Sequence, residues 1–144
     1  MPKIAKAEEL HPSHSNVLFI TNFETSIGRP TGSWLYFLKK EADLQGIHID
    51  ALAVEDVDEK VLRKANYPII LIDMPFIHLN SHGFGEYVKY LVERAPSAKI
   101  IATTTTGEVD DARAVLLAGA TDIVLQVTDK ESMRNILKGN TKSV

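Results

Sequence analysis

The sequence predicts a three-layer α/β fold, a five-stranded parallel sheet covered by helices on both faces. Three observations carry this expectation. Strand-sized apolar runs alternate along the chain with segments whose apolar residues recur at helical spacing. The runs at Val17–Ile20 and Ile69–Ile72 are continuously apolar, the pattern of strands buried on both faces. The chain is 144 residues long and 44% apolar, enough for one core, and no linker, internal repeat or low-complexity tract divides it. Strand–helix units repeated in this order give parallel strands with crossover helices on both sides of the sheet.

Residues 1–15 read as a polar lead-in ending in His11-Pro12-Ser13-His14-Ser15, residues 16–139 as the domain, and 140–144 as a tail. Asn16 to Thr21 is the first strand. A helix is expected over 31–44, because Pro30 and Thr31 suit a helix start and Trp34, Leu35, Leu38, Ala42 and Leu44 fall at roughly helical spacing. Gly46 closes it. Ile47 to Val54 alternates at first and then turns apolar, which suits an outer strand. Asp56 is expected to cap a short helix reaching Ala65, with Val57, Val61 and Leu62 facing inward. Tyr67 to Ile72 is the most apolar strand and runs into Asp73.

A loop rich in Pro, His, Asn and Gly follows, before Phe84, Val88, Leu91 and Val92 mark a third helix that Pro96 stops. Ile100 to Ala102 is the fourth strand, Glu108 to Ala118 the fourth helix and Thr121 to Leu125 the fifth strand. Asp129 caps a last helix carrying Met133, Ile136 and Leu137 ahead of Gly139.

Composition removes several function classes. The net charge of −3 gives no basic footprint for nucleic acid and no polybasic membrane patch. Without cysteine there is no thiol nucleophile, disulfide or Cys-based metal site. The apolar runs are too short to span a bilayer, and the first ten residues lack a signal-peptide core, so a cytoplasmic location is expected.

Ligands of open parallel sheets bind beyond the carboxyl ends of the strands. Here those ends are Thr21-Asn22, Asp73, Thr103 to Thr106, and Gln126. The stretch Lys99 to Val127 is the most specific part of the chain. An apolar strand runs into Thr103-Thr104-Thr105-Thr106, a short helix is closed by Gly119-Ala120, and a second apolar strand ends at Gln126-Val127. This plan resembles the last third of a response-regulator receiver domain, in which a Thr or Ser follows the fourth strand and a Lys-Pro ends the fifth.

The resemblance implies a CheY-like, flavodoxin-like (βα)5 fold and a part in two-component signalling or a phosphorelay. It implies that Asp73 stands at the phosphoacceptor position and Thr104, with Thr103 and Thr105 beside it, at the phosphoryl-contact position. It also exposes departures. Thr21 and Asn22 stand where an acidic pair would help bind Mg²⁺, Gln126 replaces the lysine, and Ile123 replaces a frequent aromatic switch residue. Gln126 can donate a hydrogen bond but brings no positive charge. The implied form is a degenerate, or pseudo-, receiver without catalysis, resident cofactor or metal. It would act by contact with another signalling protein or with itself, through the face of helix four, strand five and helix five, where Arg113, Leu117, Lys130 and Arg134 are expected to be exposed. An atypical receiver phosphorylated on Asp73 is the near alternative.

A different class is suggested by Ser26-Ile27-Gly28-Arg29-Pro30-Thr31-Gly32-Ser33-Trp34. A Gly- and Thr-rich loop opening a helix suits a phosphate, as in the FMN loop of flavodoxins, with Trp34 or Tyr87 as stacking rings. The plain reading is a helix start with Trp34 packed inward. His78 and His82 lie four apart, but Pro75, Asn80 and Gly83 favour irregular backbone there over a metal site. His48 reads as an ordinary sheet histidine, and Glu108, Asp110 and Asp111 as acids suited to a helix N-terminus.

Overall fold

The computed structural model describes residues 16–22, 34–77, 81–105 and 109–140. The expectations for the lead-in, for the loop carrying Gly28 to Gly32, for His78 and Glu108, and for the tail beyond Asn140 lie outside these residues. Five strands, β1 (Asn16–Thr21), β2 (His48–Ala53), β3 (Ile69–Asp73), β4 (Lys99–Thr104) and β5 (Asp122–Leu125), form one sheet in the order β2-β1-β3-β4-β5. All its neighbours are parallel. Helices α1 (Trp34–Gln45), α2 (Glu59–Ala65), α3 (Ser81–Arg94), α4 (Val109–Leu117) and α5 (Lys130–Leu137) complete the predicted alternation.

The strand pleat explains why the apolar runs are continuous. Successive residues of a strand point to opposite faces, and here each face has its own core. Leu18, Ile20, Ile70, Ile72 and Ile100 pack with Leu62, Val88, Leu91 and Val115 from α2, α3 and α4. Val17, Phe19, Leu71 and Ile101 pack with Trp34, Leu38, Met133, Ile136 and Leu137 from α1 and α5. β1 and β3 thus alternate between two dry layers, and neither has a polar face to offer.

Four local expectations are corrected. The short helix is capped by Asp58, not Asp56: Val54–Asp56 form a 3-10 turn, Val57 is extended, and the Asp58 carboxylate accepts the Val61 N–H at 2.9 Å. Val57, Val61 and Leu62 are buried as expected. The third helix starts at Ser81, so His82 and Gly83 are helical rather than irregular. Burial of Phe84, Val88 and Leu91 outweighs a helical glycine penalty of about 1 kcal/mol. His82 accordingly faces Glu86, one turn on, at 3.8 Å. Leu44 is 71% exposed, because it falls off the inward stripe of Trp34, Leu38, Glu41 and Ala42. Finally, β4 runs two residues further than expected, to Thr104. Two further helix ends agree with their signals: Gly46 takes φ +71°, and Asp129 caps α5 by accepting the Ser132 N–H at 3.0 Å.

Two carboxylates are buried away from the strand ends. Asp50 on β2 accepts from the Tyr67 hydroxyl at 2.6 Å and faces His48 Nε2 at 3.0 Å, so His48 has a specific partner. Glu41 lies on the inward stripe of α1 and accepts from Gln45 Nε2 at 3.1 Å and from Arg134 Nε at 2.7 Å. The second bond fastens α1 to α5, and it holds the Glu41 carboxyl below its ordinary range. A lowered acid stabilises the fold above that range and ceases to do so as it is protonated. Stability should therefore fall as pH drops below about 4.5, and Arg134→Met should flatten that acid limb in urea titrations.

Candidate functional site

The apolar layer beneath α1 and α5 ends, at the carboxyl edge of the sheet, in polar residues. Its members on β1 are Val17 and Phe19, on β3 Ile69 and Leu71, on β4 Ile101, and on β5 the partly buried Val124. Two residues on from the last of each come Thr21, Asp73, Thr103 and Gln126. The pleat therefore turns all four toward the same side. Register brings them level: Ile20 pairs with Ile72, Asp73 with Thr103, and Thr104 with Leu125, immediately before Gln126.

These four side chains form one hydrogen-bonded circuit. The Thr21 hydroxyl donates to Asp73 Oδ2 at 2.6 Å. Gln126 Nε2 donates to Asp73 Oδ1 at 2.6 Å and to Thr103 Oγ1 at 2.9 Å. The Thr103 hydroxyl in turn donates to the Ile72 carbonyl at 2.9 Å. Asp73 is 4% exposed, and Thr21 and Thr103 are buried with it. Both carboxylate oxygens are thus engaged, and both by neutral donors.

Burial pushes the Asp73 carboxyl up, against the smaller opposing effect of the Thr21 and Gln126 hydrogen bonds. Chemically, burial disfavours the ionised form, the form that attacks phosphorus, and both oxygens already accept hydrogen bonds. A carboxylate that attacks phosphorus needs a free oxygen and a cation to offset the incoming charge. Among the described residues, no three His, Asp or Glu side chains converge to hold a metal ion.

Of the residues singled out from sequence, the structure brings Thr21, Asp73 and Gln126 together. The hydroxyl that joins them is Thr103, the neighbour of Thr104. Thr104 is buried, and its backbone carbonyl accepts the Gln126 N–H at 2.7 Å. Thr105 lies exposed past the end of β4, and Asn22 is half-buried past the end of β1. Counting the pleat outward from Ile101 would have selected Thr103, since a strand alternates its faces strictly. Trp34 is buried, packs on Phe19, and donates its indole N–H to the Val127 carbonyl at 2.8 Å. Tyr87 is stacked on Tyr90, with ring centroids 6.2 Å apart. Neither ring is offered to a flavin.

The electrostatic sign at Asp73 is opposite to that at Glu41. A raised acid stabilises the fold when protonated and loses that contribution as pH rises through its folded value. Asp73→Asn removes the charge and keeps the geometry: the amide oxygen accepts from Gln126 and the amide nitrogen donates to Thr21. This variant should have a higher urea midpoint than the wild type at pH 7, with the gain vanishing below about pH 3.8. Gln126→Ala should cost about 1–3 kcal/mol at pH 7, because it strands buried acceptors.

No protein-family model matches the chain, and no curated protein matches it. Solved structures do. The beryllofluoride-activated NtrC4 receiver domain dimer superposes with a TM-score of 0.62 at 18% identity, covering 88% of this chain and 95% of that one. An orphan response regulator of H. pylori, HP1043, gives 0.64 at 14% identity, covering 91% and 100%. A response regulator from Burkholderia pseudomallei, determined with a phosphorylated aspartic acid, calcium ion and citrate, gives 0.58 at 19% identity, covering 88% and 68%. With its 2-1-3-4-5 parallel sheet between two helical layers, the chain has the CheY-like fold of response-regulator receiver domains.

Proposed function

We propose that this chain is a receiver-like signalling domain that works through protein–protein contact, without catalysis and without conventional Mg²⁺-dependent phosphorylation of Asp73. The observation that supports this reading is the state of the Asp73 carboxylate. Its two oxygens, the atoms that would attack phosphorus or bind a cation, are taken up by Thr21 and Gln126, and the carboxylate itself is almost wholly buried. Breaking those bonds leaves buried partners unsatisfied, at about 1–3 kcal/mol per group. A phosphoryl group placed there would meet an amide in Gln126 instead of a cation, and Thr21 instead of an acid that could share a divalent ion. The phosphorylated B. pseudomallei relative shows what such a fold can hold; the circuit here supports a different use of it.

Amide NMR titration with millimolar Mg²⁺ and then beryllofluoride tests the proposal. The expected spectrum is unchanged. Saturable shifts at Thr21, Asp73, Thr103 and Gln126, abolished by Asp73→Asn, would replace it with the atypical phosphorylated receiver.

The contact surface we favour is the edge of the sheet at β5, with α4 and α5 on either side. β5 has no fully buried residue, whereas β3 is buried throughout. Leu117 is 81% exposed and Leu125 53%, with Val127, Arg113 and Lys130 also exposed. Arg134 is exposed as well, while its guanidinium is paired with Glu41. Exposed leucines of this kind support an interaction surface. Sedimentation equilibrium reads self-association first: Leu125→Glu should weaken it by about tenfold or more while leaving the urea midpoint near that of the wild type. A wild-type chain that stays monomeric assigns the face to another protein.

A further inference from the structure

The connection between β5 and α5 is anchored at nearly every residue. The Gln126 N–H bonds the Thr104 carbonyl at 2.7 Å, extending the ladder one residue past β5. The Val127 N–H reaches back to the Leu125 carbonyl at 3.0 Å, a tight turn centred on Gln126. The Val127 carbonyl accepts from Trp34 of α1, and Asp129 caps α5. Gln126 is the pivot of this segment. Its side chain is held by Asp73 and Thr103 on one side, while the turn it centres aims the Val127 carbonyl at Trp34 on the other.

We propose that Gln126 is a latch that couples the Asp73 site to helix α1. Asp73 acts on Gln126 by side-chain hydrogen bond, Gln126 on Val127 by backbone geometry, and Val127 on Trp34 by its carbonyl. Releasing Gln126 from Asp73 loosens the turn and leaves the N–H of the largely buried Trp34 ring without its acceptor. The coupling is a property of the resting fold. It holds whether or not Asp73 is ever phosphorylated, so its test is separate from the beryllofluoride titration.

Trp34 is the sole tryptophan of the sequence, so its emission reports this joint alone. The experiment is acrylamide quenching of Trp34 fluorescence at pH 7 in the full chain, with far-UV circular dichroism as the check of folding. Gln126→Met keeps the length of the side chain and deletes the donors, and Asp73→Ala deletes the acceptor. Both should raise the quenching constant about twofold or more. Asp73→Asn, which preserves the circuit, should match the wild type. Ile70→Val, in the opposite core layer, is the control for general loosening and should also match it. If Asp73→Ala does not fold, Gln126→Met decides alone. Folded variants quenched like the wild type would overturn the latch, and so would an equal rise in Ile70→Val.

Discussion

A parallel sheet covered on both faces gives the polar side chains at its strand ends little access to water. That constraint governs the carboxyl edge of this domain. Thr21, Asp73, Thr103 and Gln126 continue a layer that is otherwise Val, Phe, Ile and Leu, so each must find its partner among the others. Buried polar groups are tolerated only when paired, and a connected set rigidifies what it connects. Here the set reaches from β1 to the residue after β5. The same groups that satisfy one another also fix the β5–α5 connection, and with it the exposed edge of the sheet at β5.

The elements were readable because local and global signals agree. Continuous apolar runs become strands buried twice, the helical stripes become the two covering layers, and Asp129 and Gly46 mark ends where capping chemistry and left-handed backbone demand them. The misplacements came from competing local signals. Asp56 and Asp58 are both good caps, and only the extended backbone at Val57 chooses between them. Gly83 reads as a breaker until the burial of Phe84, Val88 and Leu91 is weighed against it.

At the candidate site, Asp73, Thr21 and Gln126 were identifiable from their places at strand ends. The choice of Thr103 over Thr104 was also encoded, in pleat parity, but a run of four threonines hides it from any motif. What no local pattern carries is pairing between distant elements. The partnership of Glu41 with Arg134, and of Trp34 with Val127, exists only because the sheet order places α1 beside the end of the chain. Glu41 and Asp73 are each nearly excluded from solvent, yet one is balanced by a guanidinium and the other by dipoles alone. The first is an ion pair joining two helices, and the second is a buried carboxyl held only by uncharged donors.

The bond from Trp34 to Val127 joins residues 93 positions apart, and the bond from Glu41 to Arg134 spans the same separation. Neither is local: each rests on β3, β4 and β5 lying beyond β1 in the order of the sheet. Ordering so long a loop carries an entropic cost that earlier contacts must offset. Docking of α1 onto the β5–α5 connection therefore rests on contacts made across the whole sheet, and burial of the indole is a property of the completed fold that no local segment could supply.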